Sequence, residues 1–297
     1  MQDAAKPSAP TDFLTLARAF RKAEADVLFT PGYNGTPLAG RRQVFMIHDL
    51  IHFGAAEPGG FRKRLYYSTV TRAAAALGTV LTVSDASAAE ITRRWPEARK
   101  RIRVAPNGLS AVFAQAVDTD PAAARSGLVL FTNNRWHKNL PRMLAAIAAW
   151  QAKAGPDADA PVWLVGPESP AQDLAARAGV RNASFVGRID DTALVNLLLR
   201  ARALLFCSLT EGFGLPLIEA LTCGCAVVAS DIGVFREVAR EGCAWVDPND
   251  TEAIAAGIEQ AHRADVSRAQ RADIASLYDW DRSYAIVAQA VHDAARL

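Results

Sequence analysis

The sequence predicts an α/β protein with two doubly wound parallel-sheet domains. Short, bounded apolar runs alternate with helical patterns along most of the 297 residues, which is the order of strand and helix that a parallel sheet requires. The hydrophobic content of 51% and the charged content of 22% are ordinary for a globular protein. A chain of this length is longer than one typical domain, and we therefore expect two.

The first domain is predicted to span residues 1–115. Its predicted helices cover 13–20 and 65–77, and its predicted strands cover 27–29, 44–47, 79–83 and 102–104. Ser84 or Asp85 can cap the helix after the third strand, because either side chain can accept a hydrogen bond from the first helical turn. Residues 114–127 are rich in Ala, Asp and Pro and lack apolar periodicity, which places the domain linker there.

The second domain is predicted to span residues 116–280 and alternates more regularly. Its predicted strands cover 128–131, 162–165, 185–186, 203–206 and 226–229, and its predicted helices cover 140–150, 172–178, 192–200 and a segment that begins at Pro216. Sheets of this kind bind ligands beyond the carboxyl ends of their strands. Residues that directly follow a strand are therefore the candidates for a site.

The turn after the fourth strand of this domain carries Glu211 and Glu219, eight positions apart. Gly212 and Gly214 allow the backbone to turn tightly and to approach a ligand closely. Pro216 suits the first turn of a helix, whose free N–H groups are directed at the turn and favour phosphate. The Glu219 carboxylate can accept hydrogen bonds from two ribose hydroxyls, and Glu211 is positioned to face a sugar.

The run EGFGLPLIEALTCGCAVVASDIGVFREV, residues 211–238, resembles the EX7E motif of retaining glycosyltransferases with the GT-B fold, especially the bacterial mannosyl- and glucosyltransferases of family 4. The resemblance is strong over 203–238 and looser over 47–281. It implies two facing Rossmann-like domains, a nucleotide-sugar donor, no further cofactor and no bound metal. It also implies transfer of the sugar with retained configuration.

The same resemblance implies a donor site in the second domain, formed by Glu211, Gly212, Phe213, Gly214, Leu215 and Glu219. Lys138, followed by Asn139, matches the lysine that contacts the donor diphosphate in the family. Thr132 stands where many members have a second basic residue, and Arg135 is our candidate to replace it. Ile189 matches the apolar residue that packs on the nucleobase.

His48 ends a predicted strand of the first domain, where the family has a histidine beside the transferred sugar. With Glu211 and Lys138 it forms the predicted catalytic set. The glycine-rich loop that family members carry is missing from the residues before His48, and we therefore expect a shortened first domain. Residues 281–297 resemble the last helix of the family, which crosses back to that domain.

Basic residues concentrate in the first domain, at 61–72 and 93–103, where they alternate with aromatics. Such a patch either faces solvent or contacts an anionic membrane surface, and no nucleic-acid-binding motif accompanies it. The four cysteines, the polar start and the lack of a long apolar run predict a cytoplasmic protein. Peripheral contact with the inner face of the cytoplasmic membrane would bring it close to a lipid-linked acceptor.

These observations predict a retaining hexosyltransferase. The expected donor is GDP-mannose, with UDP-glucose second, and the expected acceptor is a hydroxyl of a lipid-linked sugar or a polysaccharide. The alternative is a non-catalytic nucleotide-sugar-binding protein that requires a partner subunit or a homo-oligomer, because the glycine-rich loop is missing.

Overall fold

The computed structural model describes residues 11–53, 60–120, 124–133, 135–167 and 170–297. The chain divides into two compact units: Met1–Gly108 with Trp280–Leu297, and Leu109–Asp279. The boundary expected from the sequence, between 115 and 116, falls inside a helix that packs on helices of the second unit. The division therefore lies before that helix.

Helices and strands are numbered in chain order. The strands are β1 Leu28–Thr30, β2 Gln43–Met46, β3 Thr79–Thr82, β4 Ile102–Val104, β5 Ser126–Phe131, β6 Val162–Val165, β7 Ala183–Gly187, β8 Ala201–Phe206, β9 Ala226–Ser230 and β10 Cys243–Val246. The α-helices are α1 Asp12–Lys22, α2 Gly60–Tyr66, α3 Arg72–Leu77, α4 Asp85–Arg94, α5 Ala111–Ala116, α6 Leu140–Gln151, α7 Ala171–Ala178, α8 Asp191–Arg200, α9 Leu215–Thr222, α10 Gly233–Ala239, α11 Thr251–Arg263, α12 Arg268–Leu277 and α13 Trp280–Ala295.

The first unit contains a four-stranded parallel sheet in the order β1-β2-β3-β4. Every connection steps in the same direction, and right-handed crossovers then place the connecting helices on one face of the sheet. On that face Phe45 and Val80 pack with Tyr67, Ile91 and Trp95, all of them buried. Ser84 caps α4 by accepting a hydrogen bond from the backbone N–H of Ser87, as the sequence predicts.

The opposite face of the first sheet is covered by α13. Val44 and Leu81 alternate with the residues of the first face and pack against Ala290 and Ala294, and all four are buried. This helix therefore belongs to the first unit, although the whole second unit separates it from β4 in the chain.

The second unit contains a six-stranded parallel sheet in the order β10-β9-β8-β5-β6-β7. The chain moves outward from β5 through β6 to β7, and then returns to the other side of β5 at β8. This reversal defines a doubly wound sheet and places helices on both faces. A large apolar core lies between one face and the helices α6, α7 and α11.

Together the two parallel-sheet units confirm the predicted GT-B-like α/β fold class. Among the described residues, no helix is both long and apolar enough to cross a membrane.

Candidate functional site

The reversal in the second sheet brings together the segments that follow β5 and β8. Lys138 lies in a short 3-10 turn after β5, and Glu211 lies in the loop after β8. The Lys138 Nζ atom is 2.6 Å from Glu211 Oε1, and the side chains are 21% and 11% exposed. The two strands are parallel, but the connections that follow them run to opposite sides of the sheet. A crevice forms between two such connections at the carboxyl ends of the strands, and sheets of this class hold ligands there. This ion pair is the centre of the candidate site.

Asn139 fixes the backbone that presents Lys138. It is buried and has a left-handed conformation, with φ of 57°, which Asn tolerates better than most residues. Its amide donates hydrogen bonds to the carbonyls of Cys207, at 3.0 Å, and Pro248, at 2.7 Å, and its oxygen accepts one from Arg142. One side chain thus joins the segments after β5, β8 and β10.

The loop between Glu211 and α9 requires glycine at position 214. Gly214 has φ of 106°, and a Cβ atom there would lie 2.7 Å from Leu217 and 2.9 Å from Phe235. The helix α9 begins at the next residue, Leu215, which is half-buried. In the first turn of α9, Pro216 has no N–H and the Leu217 N–H donates a hydrogen bond of 3.0 Å to the Gly214 carbonyl. The Leu215 N–H, four residues after Glu211, is therefore the first-turn group that can bind an anion.

Phe213 is buried and supports this loop from within. Its ring packs edge-to-face on the ring of Tyr278, with centroids 5.4 Å apart, and the Tyr278 hydroxyl donates a hydrogen bond to the Val238 carbonyl. Gly212 is also buried. Both residues were predicted to bind the donor. Phe213 holds the shape of the loop, which leaves its backbone as the group available to a ligand.

Glu219 lies in the second turn of α9 and has an unusual proton affinity. Burial and the nearby charge of Asp191 raise the pKa of Glu219 to about 7. Each oxygen of a carboxylate can accept hydrogen bonds from ligand hydroxyl groups. Asp191 itself accepts a hydrogen bond of 2.9 Å from the Ser110 hydroxyl, which keeps its charge near α9.

The remaining predicted residues of the second unit have different surroundings. Arg135 is exposed and lines a cavity of about 500 Å³ with Trp136 and Arg142. Ile189 is half-buried in the loop after β7. Thr132, at the position where many family members have a basic residue, is buried and donates a hydrogen bond of 2.8 Å to the Pro167 carbonyl. Thr132 therefore joins the ends of β5 and β6.

His48 lies in the first unit, two residues after β2. Its Nε2 atom is 3.0 Å from the Pro31 carbonyl oxygen. A carbonyl can only accept a hydrogen bond, so the Nε2 atom carries a proton and donates the hydrogen bond to Pro31. Tyr33 packs against the ring and hydrogen-bonds with Asp49; burial, and then the Asp49 charge, raise the pKa of Tyr33. The ring of His48 is thus oriented by the loop at Pro31.

The sequence did not reveal the role of Asn139. Its partners, Cys207 and Pro248, are 68 and 109 positions away, so no local pattern identifies them. One signal in the sequence could have pointed to its role. Asn139 directly precedes a helix that has Pro141 in its first turn, and Asn is a residue that tolerates the left-handed backbone conformation found there.

Solved structures similar to this chain include a sucrose-phosphate synthase from Thermosynechococcus elongatus, with a TM-score of 0.72 and 22% identity over 97% of this chain and 82% of that one. A glycosyltransferase from Rickettsia africae matches with a TM-score of 0.65 and 16% identity, over 100% of this chain and 82% of that one. At these identities the likeness concerns the fold.

Two curated relatives are mannosyltransferases. A phosphatidyl-myo-inositol mannosyltransferase of Mycolicibacterium smegmatis is 31% identical over 209 residues, which are 64% of this chain and 52% of the relative. The O-antigen chain mannosyltransferase B of Escherichia coli is 40% identical over 81 residues, 27% of this chain and 21% of the relative. The chain thus matches about half or less of the length of these relatives.

Two family models match the chain. Residues 3–113 match the model described as Glycosyltransferase Family 4. Residues 126–276, which include Lys138, Glu211 and Glu219, match the model described as glycosyl transferases group 1 and make up half of the chain. The chain belongs to the glycosyl transferases of group 1.

Proposed function

We propose that this chain binds a nucleoside diphosphate sugar and transfers its hexose, with retained configuration, to a hydroxyl acceptor. The observation that carries the proposal is the contact between Lys138 and Glu211 at the reversal of the second sheet. A cation for a diphosphate and an anion for sugar hydroxyls lie side by side, next to the start of α9. Membership of the family supports the assignment.

Each residue has a role that follows from its surroundings. Lys138 neutralises the charge that develops on the diphosphate as the sugar departs. The Leu215 N–H at the start of α9 and the backbone of the loop from Gly212 to Gly214 hold phosphate oxygens. Glu211 accepts hydrogen bonds from hexose hydroxyls, and Glu219 accepts them from the ribose. In its ionised form Glu219 makes charge-assisted hydrogen bonds, which are the stronger kind.

The reaction exchanges one bond at the anomeric carbon of the hexose. The bond to the diphosphate oxygen breaks, and a bond to the acceptor oxygen forms on the same face of the sugar. The departing phosphate takes the proton of the acceptor hydroxyl. His48, whose ring is held by the Pro31 carbonyl, orients a sugar hydroxyl during this exchange. Arg135 supplies a second positive charge from the loop before Lys138.

GDP-mannose is the proposed donor, and UDP-glucose is the second choice. The residues His48, Asp49 and Leu50 resemble those of bacterial mannosyltransferases, and the names of the relatives support mannose. Ile189 packs on the nucleobase in this proposal. An apolar contact of this kind accepts either guanine or uracil.

The proposed acceptor is a lipid-linked sugar or a growing polysaccharide, reached by peripheral contact with an anionic membrane. The segments 61–72 and 93–103 carry most of the basic residues of the first unit. Phe61 and Leu65, one turn apart on α2, are 72% and 55% exposed. Exposed apolar side chains beside basic ones suit insertion at a membrane surface.

The proposal is tested with a panel of nucleotide sugars that includes GDP-mannose and UDP-glucose, by measuring both binding and release of the nucleoside diphosphate. We expect selective binding of one donor, with slow release that a suitable acceptor accelerates. Lys138→Met should lower turnover by about 100-fold or more. The matched control is Lys153→Met, because Lys153, two residues after α6, forms an exposed ion pair with Glu252 of α11.

The outcomes separate the two functions that the sequence leaves open. Selective binding with no turnover, even with candidate acceptors, would favour the non-catalytic, partner-dependent protein. A chain that binds no nucleotide sugar would contradict both. Equal loss of turnover in Lys153→Met would show that the effect of Lys138→Met is not specific to the site.

A further inference from the structure

We propose that Glu211 competes with the diphosphate for Lys138, and that this competition makes the site favour an intact nucleotide sugar over the free nucleoside diphosphate. The inference rests on the proposed function and adds a specificity-determining role for Glu211. It concerns the state of the site before the donor arrives and after the product has formed.

The first argument is the strength of the contact between the two side chains. Lys138 and Glu211 are 2.6 Å apart and mostly shielded from water. A shielded pair of opposite charges attracts more strongly than an exposed pair, because less solvent screens it. The Lys138 ammonium also lies 5.1 Å above the ring of Phe206, which limits the directions in which it can turn.

The second argument is that the backbone around Lys138 is fixed. Asn139 attaches it to the ends of β8 and β10, and the Leu209 N–H donates a hydrogen bond of 2.7 Å to the His137 carbonyl. The two loops are therefore joined through both chain neighbours of Lys138. A ligand that takes Lys138 must displace the Glu211 side chain, since the backbones cannot separate easily.

The third argument is the difference between the two ligands. An intact nucleotide sugar brings hexose hydroxyls, which can donate hydrogen bonds to the Glu211 carboxylate and replace its contact with Lys138. A free nucleoside diphosphate brings no such donors and carries an additional negative charge on its terminal phosphate. Glu211 then keeps its contact with Lys138, and the diphosphate must compete with that carboxylate for the ammonium, which weakens binding of the product.

The test is a calorimetric titration of GDP, UDP, GDP-mannose and UDP-glucose into the wild type and into Glu211→Gln. Because glutamine has no charge, Glu211→Gln should bind the matching nucleoside diphosphate about 5–10-fold more tightly. It should bind the matching nucleotide sugar equally or more weakly. Removing an acidic side chain would thus reverse the preference of the site.

A double-variant cycle ties this effect to Lys138. In the Lys138→Met background, Glu211→Gln should improve nucleoside diphosphate binding by less than about 2-fold. Glu211→Asp, which keeps the charge but has a shorter reach, should give a smaller gain than Glu211→Gln. Glu252→Gln, which breaks the exposed ion pair with Lys153, is the matched control and should change neither affinity.

The failures are distinguishable. If Lys138→Met weakens nucleoside diphosphate binding but Glu211→Gln leaves it unchanged or weaker, the competition is refuted and the proposed function stands. If Lys138→Met changes neither affinity, the donor site itself is wrongly assigned. Near-ultraviolet circular dichroism of each variant, compared with the wild type, excludes loss of folding as the cause.

Discussion

The two sheets of this protein differ in the direction in which the chain winds through them. The first advances in a single direction from β1 to β4, whereas the second reverses between β7 and β8. The first unit therefore leaves one face uncovered by its own crossovers and obtains its cover from α13. The second covers both faces with helices of one continuous segment.

The reversal also decides where ligand-binding side chains can converge. In the second unit, Lys138 and Glu211 follow adjacent strands whose chains lead away to opposite sides, and the two side chains meet. The described strands of the first unit show no such reversal, and His48 donates its hydrogen bond to the carbonyl of Pro31 in the neighbouring loop. Winding direction thus provides a crevice in one unit and a single oriented side chain in the other.

The largest expected effect concerns the cover of the first sheet. Ala290→Asp places a carboxylate against Val44 and Leu81, at a position that is fully buried. We expect it to destabilise the first unit by about 3–4 kcal/mol, because no partner replaces the water that the charge loses. Hydrogen exchange with mass spectrometry should show the loss in first-unit peptides.

The control for this variant lies on the same helix. Ala285 is exposed on α13, and Ala285→Asp should change stability by less than about 0.5 kcal/mol. Equal destabilisation by Ala285→Asp and Ala290→Asp would mean that α13 does not cover this face of the first sheet.

The next effect concerns the hydrogen bonds by which Asn139 connects the ends of β5, β8 and β10 in the second unit. Asn139→Ala removes both donated hydrogen bonds and places Ala in a left-handed conformation, which together should cost about 2–3 kcal/mol. Urea unfolding measures the change. Asn139→Gly is the matched variant, since it tolerates the conformation but lacks the bonds, and it should recover about 1 kcal/mol of the loss. A glycine variant no more stable than the alanine variant would show that backbone conformation plays no part.

The third effect depends on pH. Burial raises the pKa of Glu219 to about 7, from the value of 4.5 that is usual for a glutamate side chain. The folded protein therefore keeps a proton that the unfolded chain releases, and this contribution to stability is complete below about pH 4.5 and is lost as pH rises towards 7. Relative to the wild type, Glu219→Gln should become more stable from pH 5 to pH 8, by on the order of 1–2 kcal/mol.

Glu90 in the first unit provides the comparison for Glu219. Burial raises the pKa of Glu90 as well, but Arg93 and Arg94 on the same helix oppose that shift. Unfolding curves of Glu90→Gln over the same pH range should show a trend of the same sign and smaller size. A Glu219→Gln curve parallel to that of the wild type would remove Glu219 from this argument.

The smallest effect compares two buried threonines at strand ends. Thr132, after β5, donates to the Pro167 carbonyl, whereas no described residue is a hydrogen-bond partner of the Thr82 hydroxyl at the end of β3. Thr132→Val should cost about 1 kcal/mol, and Thr82→Val should be neutral or stabilising by about 0.5 kcal/mol. Thermal unfolding of both variants tests the difference in sign.

Short apolar runs between stop signals predicted most of the fold. The strand Val162–Val165 lies where the sequence places it, because a buried parallel strand is apolar on both faces. The linker predicted at 114–127 begins too early, because residues 114–116 belong to the helix α5, Ala111–Ala116, whose alanines give little contrast between an apolar and a polar face. Phe113 and Ala116 are buried on this helix, which packs on α8 and α9.

The candidate site was predictable as a set of positions but not as a set of contacts. Lys138 and Glu211 each follow a strand, and the sequence assigns both to the same edge. Their ion pair depends on which strands are neighbours, and the sheet order is a tertiary property. The hydrogen bond from the Asn139 amide to the Pro248 carbonyl depends on the same strand order. Pairing across a sheet is set by packing of the whole domain, which no short window of sequence contains.

The discontinuity of the first unit has a consequence for biosynthesis. Its four strands leave the ribosome early, yet the helix that completes its core is translated after every residue of the second unit. The second unit can fold as soon as its own continuous segment has emerged, because domains generally fold as units during synthesis. Until α13 arrives, Val44 and Leu81 lie on an apolar surface that a nascent chain exposes to chaperones.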